Sequence, residues 1–285
     1  MRSSPTMACV FAALLAAGGE SLKPDREGFL KRYALADGQN VKLVAPPFHP
    51  YRLPFSRERT VELPGPRPAE ADATWYRWDA ERGLSVSGHG FGQISVRTVL
   101  NCLLGVQSFE MEGSRAILET QVQGDFVVRA GVPPAKLLPE LAAIFRTQLK
   151  IPVRLAYQKV RRPVYVAKGT FQHKPINKPP WDRRIELYVL KLNDDPAEGD
   201  HWSGGLEGLM DAIGTYIDAF VMADTTGPPP KPPLSWRCNG KRAGAAGAAW
   251  VLSHVTEQTG LTFVQEERTV SVLVALPLRP EGTGQ

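Results

Sequence analysis

The chain is poor in cysteine and has no pair of cysteines at metal or redox spacing. Cys9, Cys102 and Cys238 are its three cysteines, and without C-x-x-C there is no zinc knuckle or thioredoxin-like centre. Histidine is nearly as sparse. His49, His89, His173, His201 and His254 include no H-E-x-x-H and no i, i+3 or i, i+4 pair of the kind a helical metal site needs. The sequence has no G-x-S-x-G elbow and no Walker A loop. GHGFG at 88–92 lacks the spacing of a dinucleotide loop and reads as a tight turn. After the first twenty residues no apolar run approaches the ~20 residues of a membrane-spanning helix. These absences leave no motif for a catalytic centre, and no metal or cofactor is assigned.

What is present describes a globular chain. Hydrophobic residues make up 43% and charged residues 22% of 285 positions, a balance that excludes a wholly disordered chain, a coiled coil or a collagen-like repeat. Gly 26 and Pro 25 imply many turns and irregular stretches. The net charge of +5 admits an anionic partner without requiring one. The opening MRSSPTMACVFAALLAAGGE places Arg2 before an apolar run from Met7 to Ala17 and then Gly18 and Gly19. That order is the order of a secretory signal peptide, so residues 1–19 are expected to direct export to the periplasm or beyond. Cys9 would leave with it. In an exported protein Cys102 and Cys238 could pair; the favoured reading leaves Cys102 as a small buried hydrophobe in an apolar helix.

Residues 20–74 are proline-rich and read as an extended arm, closing in a linker near Gly65–Asp72. Regular signals begin after it. Val96, Val99, Leu100, Leu103 and Leu104 recur at helical spacing before Gly105. GDFVVRAG at 124–131 reads as a strand, and Leu137, Leu138, Leu141, Ile144, Phe145 and Leu149 form a helical stripe in which Pro139 suits only a first turn. Pro152–Val160 and Pro163–Ala167 are expected to pair as a hairpin turning at Arg161 and Arg162, and IELYVLKL at 185–192 alternates as a strand. In the second half a stripe runs from Leu206 to Phe220, GPPPKPP at 227–233 is a polyproline-prone connector, and a helix around Val251 to Val255 stops at Gly260. LTFVQ and TVSVLVAL follow as two strands. LAAIFRTQLKIPVRL echoes VLSHVTEQTGLTFVQ, each leading from helix into strand. The expected fold is α+β: repeated helix-plus-hairpin units packed as small mixed or antiparallel sheets, with modules at 75–192 and 193–285.

In order, these landmarks resemble an uncharacterised family of exported bacterial proteins known as the soil-associated family. The residues that carry the likeness are VLNCLLGVQSFEMEG and QGDFVVRAG, then LLPELAAIFRTQLKIPVRLAYQKVRRPVYVAKG. LMDAIGTYIDAFVMADTTG, LSWRC and HVTEQTGLTFVQEERTVSVLVALP complete it, so that it spans roughly 75–277. The Pro-rich arm and GPPPKPP depart from the family pattern. A looser likeness to the short amino-terminal modules of secretins and TonB-dependent receptors lies in the QTGL turn. The resemblance implies fold and export; it brings no catalytic residue.

Charge is distributed unevenly. From Arg146 to Lys191 twelve Lys or Arg face only Asp182 and Glu186, a net of +10, with Tyr157, Tyr165, Phe171 and Trp181 interleaved. Lys150, Arg154, Arg161 and Arg162 are the candidate binding residues for an anionic ligand or an acidic cell-envelope protein. Nucleic acid is the least expected of such partners for an exported chain. The same charges also fit the solvated face of alternating strands. NDDPAEGDHW at 193–202 gathers Asp194, Asp195, Glu198, Asp200 and His201, which could serve a dispersed hydrolase site or a hard cation, although the alternating D-x-D-x-D-G pattern is missing. The leading expectation is an exported, non-enzymatic binding protein, with a hydrolase as the alternative.

Overall fold

A computed structural model of the chain describes residues 26–44, 73–90, 94–176, 183–191, 200–228, 230 and 233–278. In order these form α1 (Arg26–Tyr33), β1 (Val41–Val44), β2 (Ala73–Asp79), β3 (Gly83–Gly90), β4 (Ile94–Ser95), α2 (Val96–Leu104), β5 (Met111–Gly113), α3 (Arg115–Leu118), β6 (Gln121–Val122) and β7 (Asp125–Arg129). There follow α4 (Pro134–Thr147), β8 (Val153–Gly169), β9 (Arg184–Leu187), β10 (Asp200–Gly204), α5 (Leu206–Ile217), β11 (Val221–Thr225), β12 (Leu234–Cys238), α6 (Gly244–Thr259) and β13 (Thr262–Pro277). The class is α+β, with small mixed or antiparallel sheets. The run α5–β11–β12–α6–β13 is helix, strand, strand, helix, long strand; α2–β5–β7–α4–β8 follows the same order with α3 and β6 inserted between β5 and β7. The echo in the sequence lies in the α4–β8 and α6–β13 portions of these.

The chain divides into two units: residues 1–94 with 123–132, and residues 95–122 with 133–285. The boundary expected at 192–193 therefore falls inside the second unit. In the first, β7 runs antiparallel to β1 and parallel to β2, and β2 pairs with β3, giving the order β1-β7-β2-β3. Tyr33, Leu35, Val44, Tyr76, Leu84 and Val127 form a core cluster there. Tyr33 donates its hydroxyl to the buried Asp125 carboxylate at 2.6 Å, and its own phenol is held protonated by burial and then by that carboxylate. Part of the expected extended arm is thus ordered: α1 and β1 form because Tyr33, Val41, Leu43 and Val44 have apolar surface to bury. Residues 1–25, 45–72 and the linker at Gly65–Asp72 lie outside the described residues.

In the second unit the helices follow their stripes. Val96, Val99, Leu100, Leu103 and Leu104 of α2 are buried, Ser95 caps its start by accepting from the Thr98 amide, and Gly105 ends it at φ 70. Cys102 falls off that stripe and is exposed, not buried as expected, and no disulfide joins it to Cys238. Pro139 sits beyond the first turn of α4, not within it; the helix continues because Leu137, Leu141 and Phe145 on either side are buried. The core of α5 and α6 contains Leu209, Ile213, Ile217, Val251 and Val255, packed with Ile185 and Leu187 of β9 and Trp236 of β12.

The principal correction concerns the strands. No hairpin turns at Arg161 and Arg162: β8 runs unbroken through both for seventeen residues. Likewise LTFVQ and TVSVLVAL are one strand, β13. The two pair with each other, antiparallel and without a register shift, from Val153↔Pro277 to Lys168↔Thr262. β11 lies parallel beside one end of this ribbon and β5 beside the other, giving the order β11-β8-β13-β5.

Candidate functional site

Period-two geometry gives the β8–β13 ribbon two distinct faces. On one lie Val164, Val166, Val270, Val272 and Val274, packed together as a buried cluster with Val160 and Phe220 against them. This is the inner face. On the other lie Lys159, Arg161 and Pro163 of β8, opposite Ser271, Thr269 and Glu267 of β13. All six are exposed, and they form the outer face.

Ion pairs show that the inner face is concave. Arg162 pairs with Glu112 of β5. Yet Arg162 is in register with Arg268, whereas Glu112 is in register with Val274. Six residues along a straight strand span about 20 Å, far beyond the joint reach of two side chains. Arg268 closes the same kind of gap to Asp224 at 3.5 Å, and it also pairs with Glu266 at 2.6 Å, which in turn pairs with Lys168. The ribbon therefore curls about its valines, and its inner charges are spent on one another. These cations hold the Glu266 carboxyl below its usual range, Lys168 contributing most.

The four residues expected to share one rim are placed differently. Lys150 follows α4 at φ 59, exposed, and donates to the Thr147 carbonyl at 2.7 Å. Arg154 stands at the far end of the ribbon, lining a shallow hollow with Leu276, Pro277 and Leu278. Arg161 and Arg162 are successive strand residues, so they leave on opposite faces, Arg161 outward and Arg162 inward to Glu112. A turn would have brought them together; a continuous strand separates them.

Lys159, not singled out from the sequence, joins Arg161 instead. The two are neighbours on the outer face, about 7 Å apart by strand geometry, and neither makes an ion pair among the described residues. Glu267 is the one acid among the six exposed side chains. Ser271 and Thr269 place hydroxyls directly across from the two cations. Tyr157 and Tyr165 continue this face at its two ends and are half-buried. Burial, then the nearby Glu110 carboxylate, pushes the Tyr157 phenol up, so it stays neutral and able to donate. Two exposed cations beside two hydroxyls can bind carboxylate, sulfate or phosphate groups.

Asp194, Asp195 and Glu198 lie outside the described residues; Asp200 opens β10 in register with Cys238, and His201 is an exposed residue of the same strand in register with Arg237. No group of three or more His, Cys, Asp or Glu among the described residues could hold a metal ion. Glu186 and Arg237 form an ion pair at 2.6 Å with both side chains at most 2% exposed. Gln258 of α6 anchors Glu186 through its backbone, accepting from the amide at 2.7 Å and donating to the carbonyl at 2.9 Å. This assembly is a fastener between sheet and helix. On the surface of α6 Trp250 is 56% exposed, and His254 stacks on Tyr188 with 3.9 Å between ring centres. No helix among the described residues is long and apolar enough to cross a membrane.

Comparison with protein-family models, curated proteins and solved structures finds no match to this chain.

Proposed function

We propose that this chain is a non-enzymatic binding module that holds an anionic partner on the outer face of the β8–β13 ribbon. The observation that carries this reading is the contrast between the two faces. Inner cations are matched by Glu112, Glu266 and Asp224, whereas Lys159 and Arg161 stand exposed with no ion pair among the described residues. A pair of cations on an exposed strand, without a counterion among the described residues, presents a local positive field to a ligand. Export belongs to the same proposal, supported by the signal-like residues 1–19 and the soil-associated resemblance. It would bring the face to acidic polymers or proteins of the cell envelope.

The test is retention on a carboxylate or sulfate resin. Lys159→Glu with Arg161→Glu should lower affinity more than tenfold, while the unfolding midpoint stays nearly unchanged, since exposed charges contribute little to stability. Arg154→Glu, at the ribbon end, should have a smaller effect. Retention equal to wild type in the folded double variant would refute the assignment.

A further inference from the structure

The same strand that carries Lys159 and Arg161 has an open edge, and its backbone geometry says which groups point out of it. The Tyr165 amide donates to the Phe220 carbonyl and the Gly169 carbonyl accepts from the Thr226 amide, both on the β11 side. Amide and carbonyl of one residue point the same way, and the direction alternates along a strand. With no register shift against β13, the outward-pointing residues are therefore the odd-numbered ones. β11 covers 165 to 169 only. Tyr157, Lys159 and Arg161 consequently turn an amide and a carbonyl toward an edge with no strand beside it among the described residues. Pro163, which has no amide, adds a carbonyl just before β11 begins.

We infer that this edge accepts an acidic polypeptide as an added strand, laid against Tyr157–Pro163. The inference rests on the proposed anion-binding role and names the partner's class. Charge selects the occupant. Along Tyr157–Pro163 the outer face of β8 presents Lys159 and Arg161, and the strand contains no acid, so an extended segment with alternating acidic residues matches it in charge while completing its hydrogen bonds. Two copies of this chain meeting symmetrically at the same edge would bring these cations against each other, which is how natural edges resist self-pairing. A polysaccharide or nucleic acid could satisfy the side chains but could not complete the backbone ladder.

The experiment uses the full chain and three probes: the peptide acetyl-(Glu-Thr)5-amide, the same peptide N-methylated at alternate residues, and a sulfated polysaccharide. Strand addition predicts that the unmodified peptide binds and slows amide exchange at Tyr157, Lys159 and Arg161. N-methylation should weaken it at least tenfold, and Lys159→Glu with Arg161→Glu should also abolish binding. Equal binding of the two peptides, or no peptide binding while the polysaccharide is retained, overturns strand addition and leaves the anionic surface standing. No binding of any probe, or polysaccharide binding indifferent to the double substitution, overturns the underlying reading as well.

Discussion

Replacing either member of the buried Glu186–Arg237 pair should destabilise the second unit more than any surface change. The two groups lie in register on adjacent parallel strands, β9 and β12, 2.6 Å apart and almost wholly out of water. In Glu186→Met the Arg237 guanidinium keeps its charge and its burial but loses its carboxylate; in Arg237→Met the carboxylate is left in the same position. Breaking one side of such a pair costs about 3–5 kcal/mol, whereas replacing both by apolar groups of similar volume is often near neutral. Gln258 holds Glu186 by its backbone, so neither change disturbs that fastening. Taking about 4 kcal/mol and a urea slope of about 2 kcal/mol per molar, each single variant should move the midpoint down by about 2 M. The double variant should recover most of that loss. Urea unfolding followed by tryptophan fluorescence reads all four proteins, with Trp236 beside the site. If the double variant loses the sum of the two single losses, the residues are not a coupled unit and the reasoning fails.

Backbone and proton predictions follow from the same structure. Gly113 has φ 148, and a Cβ there would sit 2.1 Å from the Ala275 carbonyl oxygen, so Gly113→Ala must part β5 from β13. Its cost should be about 2 kcal/mol or more, against about 1 kcal/mol for Gly105→Ala, which meets nothing within 4 Å; thermal unfolding separates them. Tyr216 donates to the Asn239 carbonyl, and burial, then the Cys238 sulfur, pushes its phenol up to about 12. A raised folded-state value favours the protonated form. Its contribution is therefore complete below about pH 10 and is lost as pH rises through 12, on the order of 2–3 kcal/mol. Urea midpoints taken across that range should fall in the wild type and fall less in Tyr216→Phe.

The helices were legible because each depends on one stripe: Val96 to Leu104 and Leu137 to Phe145 mark the buried faces of α2 and α4. Gly105 and Gly260 mark ends that need a left-handed residue, at φ 70 and φ 68. The ribbon was misread for a physical reason. Val153 and Leu155 are buried on one parity, then Val164 and Val166 on the other. A change of phase beside Arg161, Arg162 and Pro163 has the signature of two strands and a turn. What changes is the covering: α4 packs on β8 at one end, and beyond it the ribbon curls over its opposite face. Pro163 is tolerated within the strand because its missing amide would have pointed to an open edge. The candidate site shifted accordingly, since only a continuous strand puts Lys159 beside Arg161. Glu186 and Arg237 had a signal that went unused, each being a lone charge within an apolar strand, IELYV or LSWRC. α1 and β1 gave little warning: they are short, and their burial depends on strands far along the chain.

The claim that an anionic partner occupies the outer face of the ribbon is tested most directly by residue-resolved NMR of the full chain titrated with oligoglutamate. Amide shifts should concentrate at residues 157–163 of β8 and 265–271 of β13, and they should weaken as salt screens the exposed charges. Shifts clustered instead around Trp250 and His254 on α6, or none on the ribbon while oligoglutamate binds, would contradict the account.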